Sequence, residues 1–412
     1  MDMDVLIFGG GIAGIWTLDE LTRRGYDAAL LETKSLGSGQ TISAQGIIHG
    51  GMKYALQGTL TASAANIRDM PNIWRECLAG ERQPDLSAAQ VRSEKCYLWQ
   101  TDSLTSRLGM LGARIGLRTS PAQVAMDERP AALVDCPGNV AELPEQVIDP
   151  ASVLDAFRQR HKDRLFQISG RSVSIEHETD GAITSISACP SDNGQQLTWQ
   201  PKLAVFCAGS GNANLMRQLG FDQPPMQLRP LHMVLLRGNL PELNGHCVDG
   251  AKTRVTITSA KDRAGRTVWQ VGGQIAEDGV RMSASRLFQR AADDLQEVLP
   301  SVDFRDVEIS SHRVNRAERS TVGLKRPDTF QMIEEANWIA AWPTKLALAP
   351  LLAEQIAEIA RKRIGEAQPV DHESSHSSTP CPEVAAPPWE QSLEWQPFID
   401  FLDSETQQRH AA

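Results

Sequence analysis

Cysteines spaced closely enough to form a redox pair are missing from this sequence. The seven cysteines are widely scattered, and no two of them form a CxxC motif. An odd number of distant cysteines argues against a disulfide framework and against a thiol-redox centre. We therefore expect reduced thiols that are mostly buried, as is usual in the cytoplasm.

An excess of basic residues is also missing. Lys and Arg number 41 against 51 Asp and Glu, which gives a formal net charge of -10. A nucleic-acid partner is therefore not expected, because there is no surplus of positive charge to neutralise phosphates.

Long apolar runs are absent too, since no stretch approaches the roughly 20 residues that a membrane-spanning helix needs. The first residues, MDMDVLIFGGG, have no basic region and carry two aspartates, so we do not expect a signal peptide. The expected location is the cytoplasm, with peripheral attachment at the inner face of a membrane as the alternative.

What is present is a strand–turn–helix pattern at the start of the chain. Residues 4–8 predict a buried strand, Ile12–Leu21 an amphipathic helix that ends at Gly25, and Ala28–Glu32 a second strand. Segments of this βαβ type recur at 203–211 and before a last helix at 346–364, and they alternate with antiparallel patterns at 164–199, 226–275 and 305–342. The alternation predicts a discontinuous dinucleotide-binding domain with a second, sheet-based domain inserted into it.

The turn between the first strand and helix is GGGIAG, with Glu32 at the end of the next strand. In a GxGxxG fingerprint Gly9 makes the tight turn, Gly11 lets the backbone approach a pyrophosphate, and Gly14 permits close packing of helix and strand. Glu32 would accept hydrogen bonds from ribose hydroxyls. The order of these features predicts a site for the ADP part of a dinucleotide.

Residues 37–54, GSGQTISAQGIIHGGMKY, resemble the flavin loop of FAD-dependent oxidoreductases of the D-amino acid oxidase/glycine oxidase/glycerol-3-phosphate dehydrogenase superfamily. Residues 145–154, 203–211, 228–236 and 271–273 and the segment PTKLALAPLLAEQIAEIA are similar to further segments of this superfamily. The resemblance implies an α/β fold (α+β overall): a Rossmann-like FAD-binding domain of glutathione-reductase type with a smaller substrate domain built on a mixed or antiparallel sheet. The implied boundaries are 1–80, 145–225 and 325–365 for the FAD-binding domain, 81–144 and 226–324 for the substrate domain, and 366–412 for a linker and C-terminal tail.

The resemblance also implies which residues hold FAD. They follow the glycine turn, the flavin loop, two later turns and the start of the last helix: Gly9, Gly11, Ile12, Ala13, Gly14, Glu32, Thr33, Lys34, Gly39, Gln40, Thr41, Gln45, Gly46, Ile48, Val173, Ala208, Gly209, Thr344, Lys345 and Leu346.

One segment departs from the family pattern. Several glycines usually precede the last helix, whereas this chain has Ala341-Trp342-Pro343-Thr344-Lys345. Trp342 is expected to narrow the site. Lys345 is either a cation beside the flavin or an ordinary exposed lysine at a helix start.

Three residues are the candidate catalytic groups: His49, Arg316 and Lys345. His49 lies in the flavin loop. Its candidate roles are a base, a substrate contact or a covalent link to the flavin, and the alternative is a merely structural histidine. Among the arginines of HRVNRAERS, the resemblance assigns to Arg316 the role of holding the substrate's carboxylate or phosphate, with Arg313 and Arg319 as alternatives.

Other histidines are weaker candidates. His232 and His312 are more consistent with packing than with chemistry. His372 and His376 lie near Cys381 in a Ser/Pro-rich linker, and we expect no metal site there. The aromatic residues of 389–402 are expected to dock on this chain, with an electron acceptor or a membrane as the alternative partner.

The predicted activity is FAD-dependent oxidation, as an oxidase or dehydrogenase. A small anionic amine or 2-hydroxy compound would give a hydride to flavin N5, and O2, a quinone or another acceptor would take the electrons. A disulfide reductase is excluded by the missing CxxC and the missing second GxGxxG. The alternatives are a flavoprotein whose flavin is structural or regulatory, and a tRNA-modifying flavoprotein, which the acidic balance disfavours.

Overall fold

The computed structural model describes residues 1–50, 67–101, 122–190, 194–249, 252–367 and 380–402. His372, His376 and residues 51–54 of the flavin loop lie outside these residues.

The strands of the described residues are β1 (Asp2–Phe8), β2 (Ala28–Glu32), β3 (Val91–Ser93), β4 (Cys96–Gln100), β5 (Ala122–Gln123), β6 (Val140–Leu143), β7 (Val147–Ile148), β8 (Leu165–Gln167), β9 (Ser174–His177), β10 (Ile183–Ala188), β11 (Leu197–Phe206), β12 (Met226–Gly238), β13 (Gly245–Asp249), β14 (Lys252–Lys261), β15 (Thr267–Gly272), β16 (Val307–Arg319), β17 (Gln331–Glu334), β18 (Trp338–Trp342) and β19 (Gln396–Pro397).

The α-helices of the same residues are α1 (Ile12–Arg23), α2 (Met70–Leu78), α3 (Pro150–His161), α4 (Asn212–Gln218), α5 (Gln274–Asp278), α6 (Ala284–Val298) and α7 (Ala349–Ile364). A short 3₁₀ turn, Leu346–Leu348, leads directly into α7. Among the helices described, none has the length and apolar character needed to cross a bilayer.

The first sheet has the parallel core of a dinucleotide-binding fold. Its main path runs β17-β18-β11-β1-β2-β8, and β1, β2, β8, β11 and β18 pair in parallel. Alternate residues of β1 enter two different cores: Val5 and Ile7 pack on the side of α1 and α7, whereas Leu6 and Phe8 pack on the side of β9, β10 and α4. A strand buried on both faces is typical of a parallel sheet that is covered on both sides.

The second sheet is predominantly antiparallel and runs β19-β16-β12-β15-β14-β13-β4-β6-β5, with β4 and β13 as a parallel pair. Its centre is the pairing of β12 with β16, which extends from Met226 opposite Arg319 to Gly238 opposite Val307. Helix α6 covers one face through Leu287 and Leu295. The predicted α/β fold with a mixed, mainly antiparallel second sheet is confirmed. The domain boundaries stay a prediction.

The described part of the C-terminal tail is integrated into the molecule. The backbone N–H of Leu36 donates to the carbonyl of Glu383, and β19 pairs with β16. Phe398 is fully buried against Phe304, with ring centroids 4.9 Å apart. The described part of the tail therefore packs on this chain, as expected for the aromatic residues of 389–402.

The cysteine prediction is confirmed. All seven are free, and five of them are buried. Burial raises the pKa of the Cys207 thiol to about 12 and also raises the pKa of Cys77, to about 11. Such thiols are unreactive packing groups.

Candidate active site

The glycine turn after β1 is set by close backbone packing. Gly9 has φ +99°, and a Cβ there would lie 2.5 Å from the Cα of Ala208, in the turn that follows β11. A Cβ on Gly14 would lie 2.0 Å from the carbonyl oxygen of Gly9. Both positions therefore require glycine, because helix α1 and the two strand ends approach too closely for any side chain.

Gly11 differs because a Cβ there would have one close neighbour, the hydroxyl of Thr41 at 3.2 Å, and no backbone atom within 4 Å. Gly11 is the N-cap of α1, and the first turn of the helix contains no acidic residue. The N–H of Ile12, the first residue of the helix, donates to the hydroxyl of Thr41 at 3.1 Å. A Cβ on Gly209, in the neighbouring turn, would also meet no atom within 4 Å. A helix N-terminus with no acidic residue in its first turn, beside a glycine turn with open space, is the arrangement that accepts a pyrophosphate.

Glu32 lies beside this opening and is held in place by backbone donors. Its carboxylate accepts hydrogen bonds from the N–H groups of Gly10 at 2.6 Å, Thr33 at 2.7 Å and Lys34 at 2.8 Å. The glycine turn and Glu32 therefore fit an ADP moiety.

Val173, another predicted cofactor-binding residue, lies in the segment after β8. Its carbonyl accepts a hydrogen bond from the side chain of Gln218.

The flavin-loop residues are anchored on the second sheet. The side-chain amide of Gln45 donates to the carbonyls of Thr256 at 2.9 Å and Gln270 at 2.8 Å. Gln40 accepts from the backbone N–H of Ala317. Gly46 has φ +79°, and a Cβ there would lie 2.2 Å from the carbonyl oxygen of Ile148. These contacts hold the loop against the second sheet and beside β7.

A cavity of about 390 Å³ lies beside this loop. Many predicted site residues line it: His49, Arg316, Lys345, Gln40, Gln45, Gly46, Thr344 and Leu346. The structure does not place the glycine-turn residues, Glu32, Thr33, Lys34, Gly39, Thr41, Ile48, Val173, Ala208 or Gly209 on its wall. The predicted residues therefore divide into a group around the glycine turn and a group around the cavity.

Alternation along β16 decides which arginine reaches the cavity. Val314 and Arg316 lie on the face of the strand that lines the cavity. Arg313 and Arg319 lie on the opposite face and donate to backbone carbonyls there: Arg313 to those of Val280 and Met282, and the exposed Arg319 to that of Met332. Arg316 itself donates to the carbonyl of Arg229 and to Glu277, 3.1 Å away. Burial lowers the pKa of Arg316, but a guanidinium stays charged at any ordinary pH.

Lys345 is buried and is therefore not an exposed lysine at a helix start; its role as a cation beside the flavin stays a prediction. It is 6% exposed and donates to the carbonyl of Asp328 at 3.3 Å. Burial, with a smaller effect of the nearby charge of Arg326, lowers the pKa of Lys345 to about 8. Sequence reasoning missed Arg326, which lines the same cavity, because nothing in its flanking sequence distinguishes it from a surface arginine.

The segment before α7 replaces the family's glycines with a strained residue. Thr344 has φ +62°, a left-handed conformation that β-branched residues rarely adopt, and its hydroxyl donates to the carbonyl of Thr329 at 2.9 Å. The expectation that Trp342 narrows the site is wrong. Trp342 is 1% exposed in the core behind β18 and is not part of the cavity wall.

His49 belongs to a cluster that the sequence did not reveal. Its Nδ1 lies 3.3 Å from the carboxylate of Glu145, and its ring stacks on that of His246 with centroids 5.5 Å apart. Glu145 also accepts from the N–H of Gly50, and Nδ1 of His246 lies 2.9 Å from the hydroxyl of Thr256. One donor atom from each of the three side chains lies within 4.8 Å of the others, a spacing that could also accept a metal ion.

The two other histidines lie outside the cavity wall, as the sequence suggested. His232 contacts the carbonyl of Gly279 and the hydroxyl of Ser311. The ring nitrogens of His312 have no hydrogen-bond partner among the described residues, and burial lowers its pKa to about 4. His312 is therefore a neutral packing group at ordinary pH.

Comparisons with known proteins agree with this arrangement. The family model described as DAO, FAD dependent oxidoreductase, matches residues 4–359. A probable FAD-dependent oxidoreductase of Pseudomonas aeruginosa is 38% identical over 399 residues, covering 95% of this chain and 98% of that protein. The crystal structure of an FAD dependent oxidoreductase from Pseudomonas aeruginosa is similar with a TM-score of 0.79 at 33% identity, over 95% of this chain and 98% of that one.

More distant structures share the fold. Glycine oxidase from Geobacillus kaustophilus has a TM-score of 0.61 at 15% identity, over 88% of this chain and 95% of that one. L-alpha-glycerophosphate oxidase from Mycoplasma pneumoniae, solved with FAD bound, has a TM-score of 0.63 at 13% identity over the same shares. The glycine cradle, the acidic residue after β2 and the match across most of the chain lead to one conclusion. This chain belongs to the DAO family of FAD-dependent oxidoreductases, and its cofactor is FAD.

Proposed function

We propose that this enzyme removes a hydride from a small anionic amine or 2-hydroxy compound, and that Arg316 holds the carboxylate or phosphate of that substrate. The observation that carries the proposal is the position of Arg316. Its side chain comes from the second sheet and lines the same cavity as flavin-loop residues Gln45 and His49. Arg316 thus belongs to the sheet-based half of the enzyme, while the loop belongs to the cofactor-binding half.

The guanidinium of Arg316 has capacity for a ligand. It is only 14% exposed, and its described contacts use two of the five N–H donors that a guanidinium offers. Its acidic partner, Glu277, has a side chain that is 46% exposed. Water can therefore solvate Glu277 if a substrate anion displaces it, and a bidentate contact to the anion would replace the ion pair.

The charge of the cavity supports an anionic substrate. Arg316, Arg326 and Lys345 line it, against Glu277 as the acidic residue on its wall. The charge of Arg326 lowers the pKa of both Lys345 and Arg316, so the three cations lie within electrostatic range of one another. A cavity of this composition attracts a carboxylate or phosphate and disfavours a cation.

The residues described above would hold the cofactor at two places. The open space at Gly11 would take the pyrophosphate, and Glu32 would take ribose hydroxyls. The flavin loop and the N-terminal end of the Leu346–Leu348 turn would face the ring system, where the dipole of the following helix favours negative charge. When bound, FAD supplies the hydride acceptor. The contribution of the chain is to orient the substrate through Arg316 and to exclude water with Leu231 and Met233 on the cavity wall.

An anaerobic screen of the FAD-loaded enzyme tests the proposal. Amino acids, N-methyl amino acids, 2-hydroxy acids and glycerol phosphate are added one by one, and bleaching of the flavin absorbance identifies a substrate. Arg316→Met should keep the flavin spectrum and lower kcat/KM for that substrate about ten-fold or more, the loss expected for a charge-assisted hydrogen bond.

Arg313→Met is the matched control on the same strand and should change kcat/KM little. If Arg313→Met is as damaging while Arg316→Met is harmless, the assignment of the arginine is wrong. If no compound of these classes bleaches the flavin, the proposed activity is wrong. Reoxidation of the bleached enzyme by O2 or by a quinone then identifies the electron acceptor.

A further inference from the structure

We infer that Glu145 and His49 form an acid–base pair that removes a hydroxyl proton, and that the substrate is therefore a 2-hydroxy acid rather than an amine. The inference rests on the proposed function, whose two substrate classes it distinguishes. The juxtaposition that carries it is a buried carboxylate directly behind a histidine that lines the cavity.

Glu145 is a buried acid that requires a partner. Its side chain is 1% exposed, and burying a carboxylate is unfavourable unless hydrogen bonds compensate for the lost water. One oxygen accepts from the N–H of Gly50 at 2.9 Å, and the other lies 3.3 Å from Nδ1 of His49. An N–H at Nδ1 of His49 supplies the second hydrogen bond that this carboxylate requires.

The orientation of His49 is fixed. Glu145 holds its Nδ1, and the ring of His246 stacks on it at an interplanar angle of 30°. His246 is in turn anchored through the hydroxyl of Thr256, 2.9 Å from its Nδ1. Because Nδ1 of His49 faces a carboxylate, that atom carries the hydrogen and Nε2 is the proton acceptor. The side chain of His49 is 24% exposed and lines the cavity.

Alcohol oxidation needs such a group. The carbon-bound hydrogen leaves with its electron pair to the flavin, the O–H proton passes to Nε2 of His49, and the C–O bond becomes a carbonyl. The substrate loses two electrons and two hydrogens, and the flavin gains the hydride. An amine in its neutral form can use its own nitrogen lone pair to form the iminium ion as the hydride leaves, so it needs no base of this kind for that step.

The charge of the cavity gives a second, independent reason. An amino acid brings an ammonium group at neutral pH, which would enter a space lined by three cations, Arg316, Arg326 and Lys345, against one carboxylate, Glu277. The repulsion disfavours the ammonium form. A hydroxyl carries no charge, so a 2-hydroxy acid gains the attraction of its carboxylate without this penalty.

Matched substrate pairs test the inference on the FAD-loaded enzyme. Lactate is compared with alanine, glycolate with glycine, and 2-hydroxyglutarate with glutamate, in both enantiomers where they exist, by anaerobic flavin bleaching. We expect the hydroxy acid of a pair to reduce the flavin at least ten-fold faster than the amino acid. If only the amino acid of a pair reduces it, the inference is wrong and the proposed function stands. If no member of any pair reduces it, the inference is wrong; the proposed function is wrong as well only if N-methyl amino acids and glycerol phosphate also leave the flavin oxidised.

Two variants test the roles of the side chains. His49→Ala should lose about 10²- to 10⁴-fold in kcat on the hydroxy acid, the usual contribution of a positioned base, and added imidazole should restore part of it. Glu145→Gln removes the charge and nearly keeps the shape. We expect kcat to fall about ten-fold or more with KM within about two-fold, because Glu145 acts through His49.

Glu142→Gln is the matched control, since this half-exposed acid pairs with Lys95 in the same segment. It should leave kcat unchanged. A Glu145→Gln enzyme with wild-type kcat, or a His49→Ala enzyme that imidazole does not restore, overturns the inference. The inference is also overturned if dialysis against EDTA abolishes hydroxy-acid oxidation and added Zn²⁺ restores it. His49, Glu145 and His246 would then act as metal ligands.

Discussion

The binding of a small anion beside the flavin should weaken as the pH rises through about 8, and Lys345 is the reason. Burial lowers the pKa of this lysine to about 8, from an ordinary value of 10.5. At pH 6.5 the amine is then about 97% charged, and at pH 9.5 about 3% charged. If the ammonium makes one charge-assisted contact worth about 1.5–3 kcal/mol, the dissociation constant of the anion should rise roughly ten- to 30-fold over this range, because the cost of protonating the amine at pH 9.5 sets the upper limit.

The assay is a titration of the FAD-loaded enzyme with acetate or benzoate at pH 6.5 and 9.5, followed by the change in flavin absorbance. Both probes stay ionised across the range, so only the protein titrates. Lys345→Arg should bind the anion with little pH dependence, because a guanidinium stays charged. Lys345→Met should bind weakly at both values, whereas Lys325→Met, at an exposed position nearby, should behave like the wild type.

Unfolding does not account for the expected loss of binding. A lysine whose pKa is lowered in the folded state binds fewer protons there than in the unfolded chain between pH 8 and 10.5, so its contribution to the free energy of unfolding rises with pH in that window. If Lys345→Arg shows the same fall in affinity between pH 6.5 and 9.5 as the wild type, another group titrates and this reasoning is refuted.

Three further changes follow from the structure. Phe398→Ala should lower the free energy of unfolding, measured by urea titration, by about 3–5 kcal/mol, because the ring is fully buried against the core of the second sheet. The control, Gln396→Ala at an exposed position, should change it by less than about 0.5 kcal/mol. Gly11→Val should purify folded but without yellow colour, since its side chain would fill the open space of the cradle; full flavin occupancy would contradict this assignment. Thr344→Gly should change the free energy of unfolding by less than about 1 kcal/mol, because relief of the left-handed backbone strain offsets the lost hydrogen bond. Thr344→Val keeps the strain and loses the hydrogen bond, so it should lower the free energy of unfolding by about 1–2 kcal/mol. Thermal unfolding of the two variants measures both changes.

The cofactor-binding start of the chain could be predicted from the sequence because its determinants are local. The strand, the glycines, the helix and Glu32 follow one another within about 30 residues, and each has its own pattern of apolar spacing or backbone freedom. Arg316 could be assigned because alternation along one strand decides which side chains share a face, and the resemblance supplied the register.

The rest of the candidate site depended on contacts between distant segments. Glu145 meets His49 across 96 positions of sequence, so neither the spacing nor the composition indicated the pair. The conformation of Thr344 required the packing of the segment before α7, because a β-branched residue gives no local signal for a left-handed turn. For Trp342 the expectation from the sequence is wrong. Its position before the last helix predicted a side chain in the cavity, but the alternation of side chains along β18 directs it into the core. The charge pattern of the cavity and the burial of Phe398 were likewise settled by tertiary packing, because both arise where the two sheets and the tail come together.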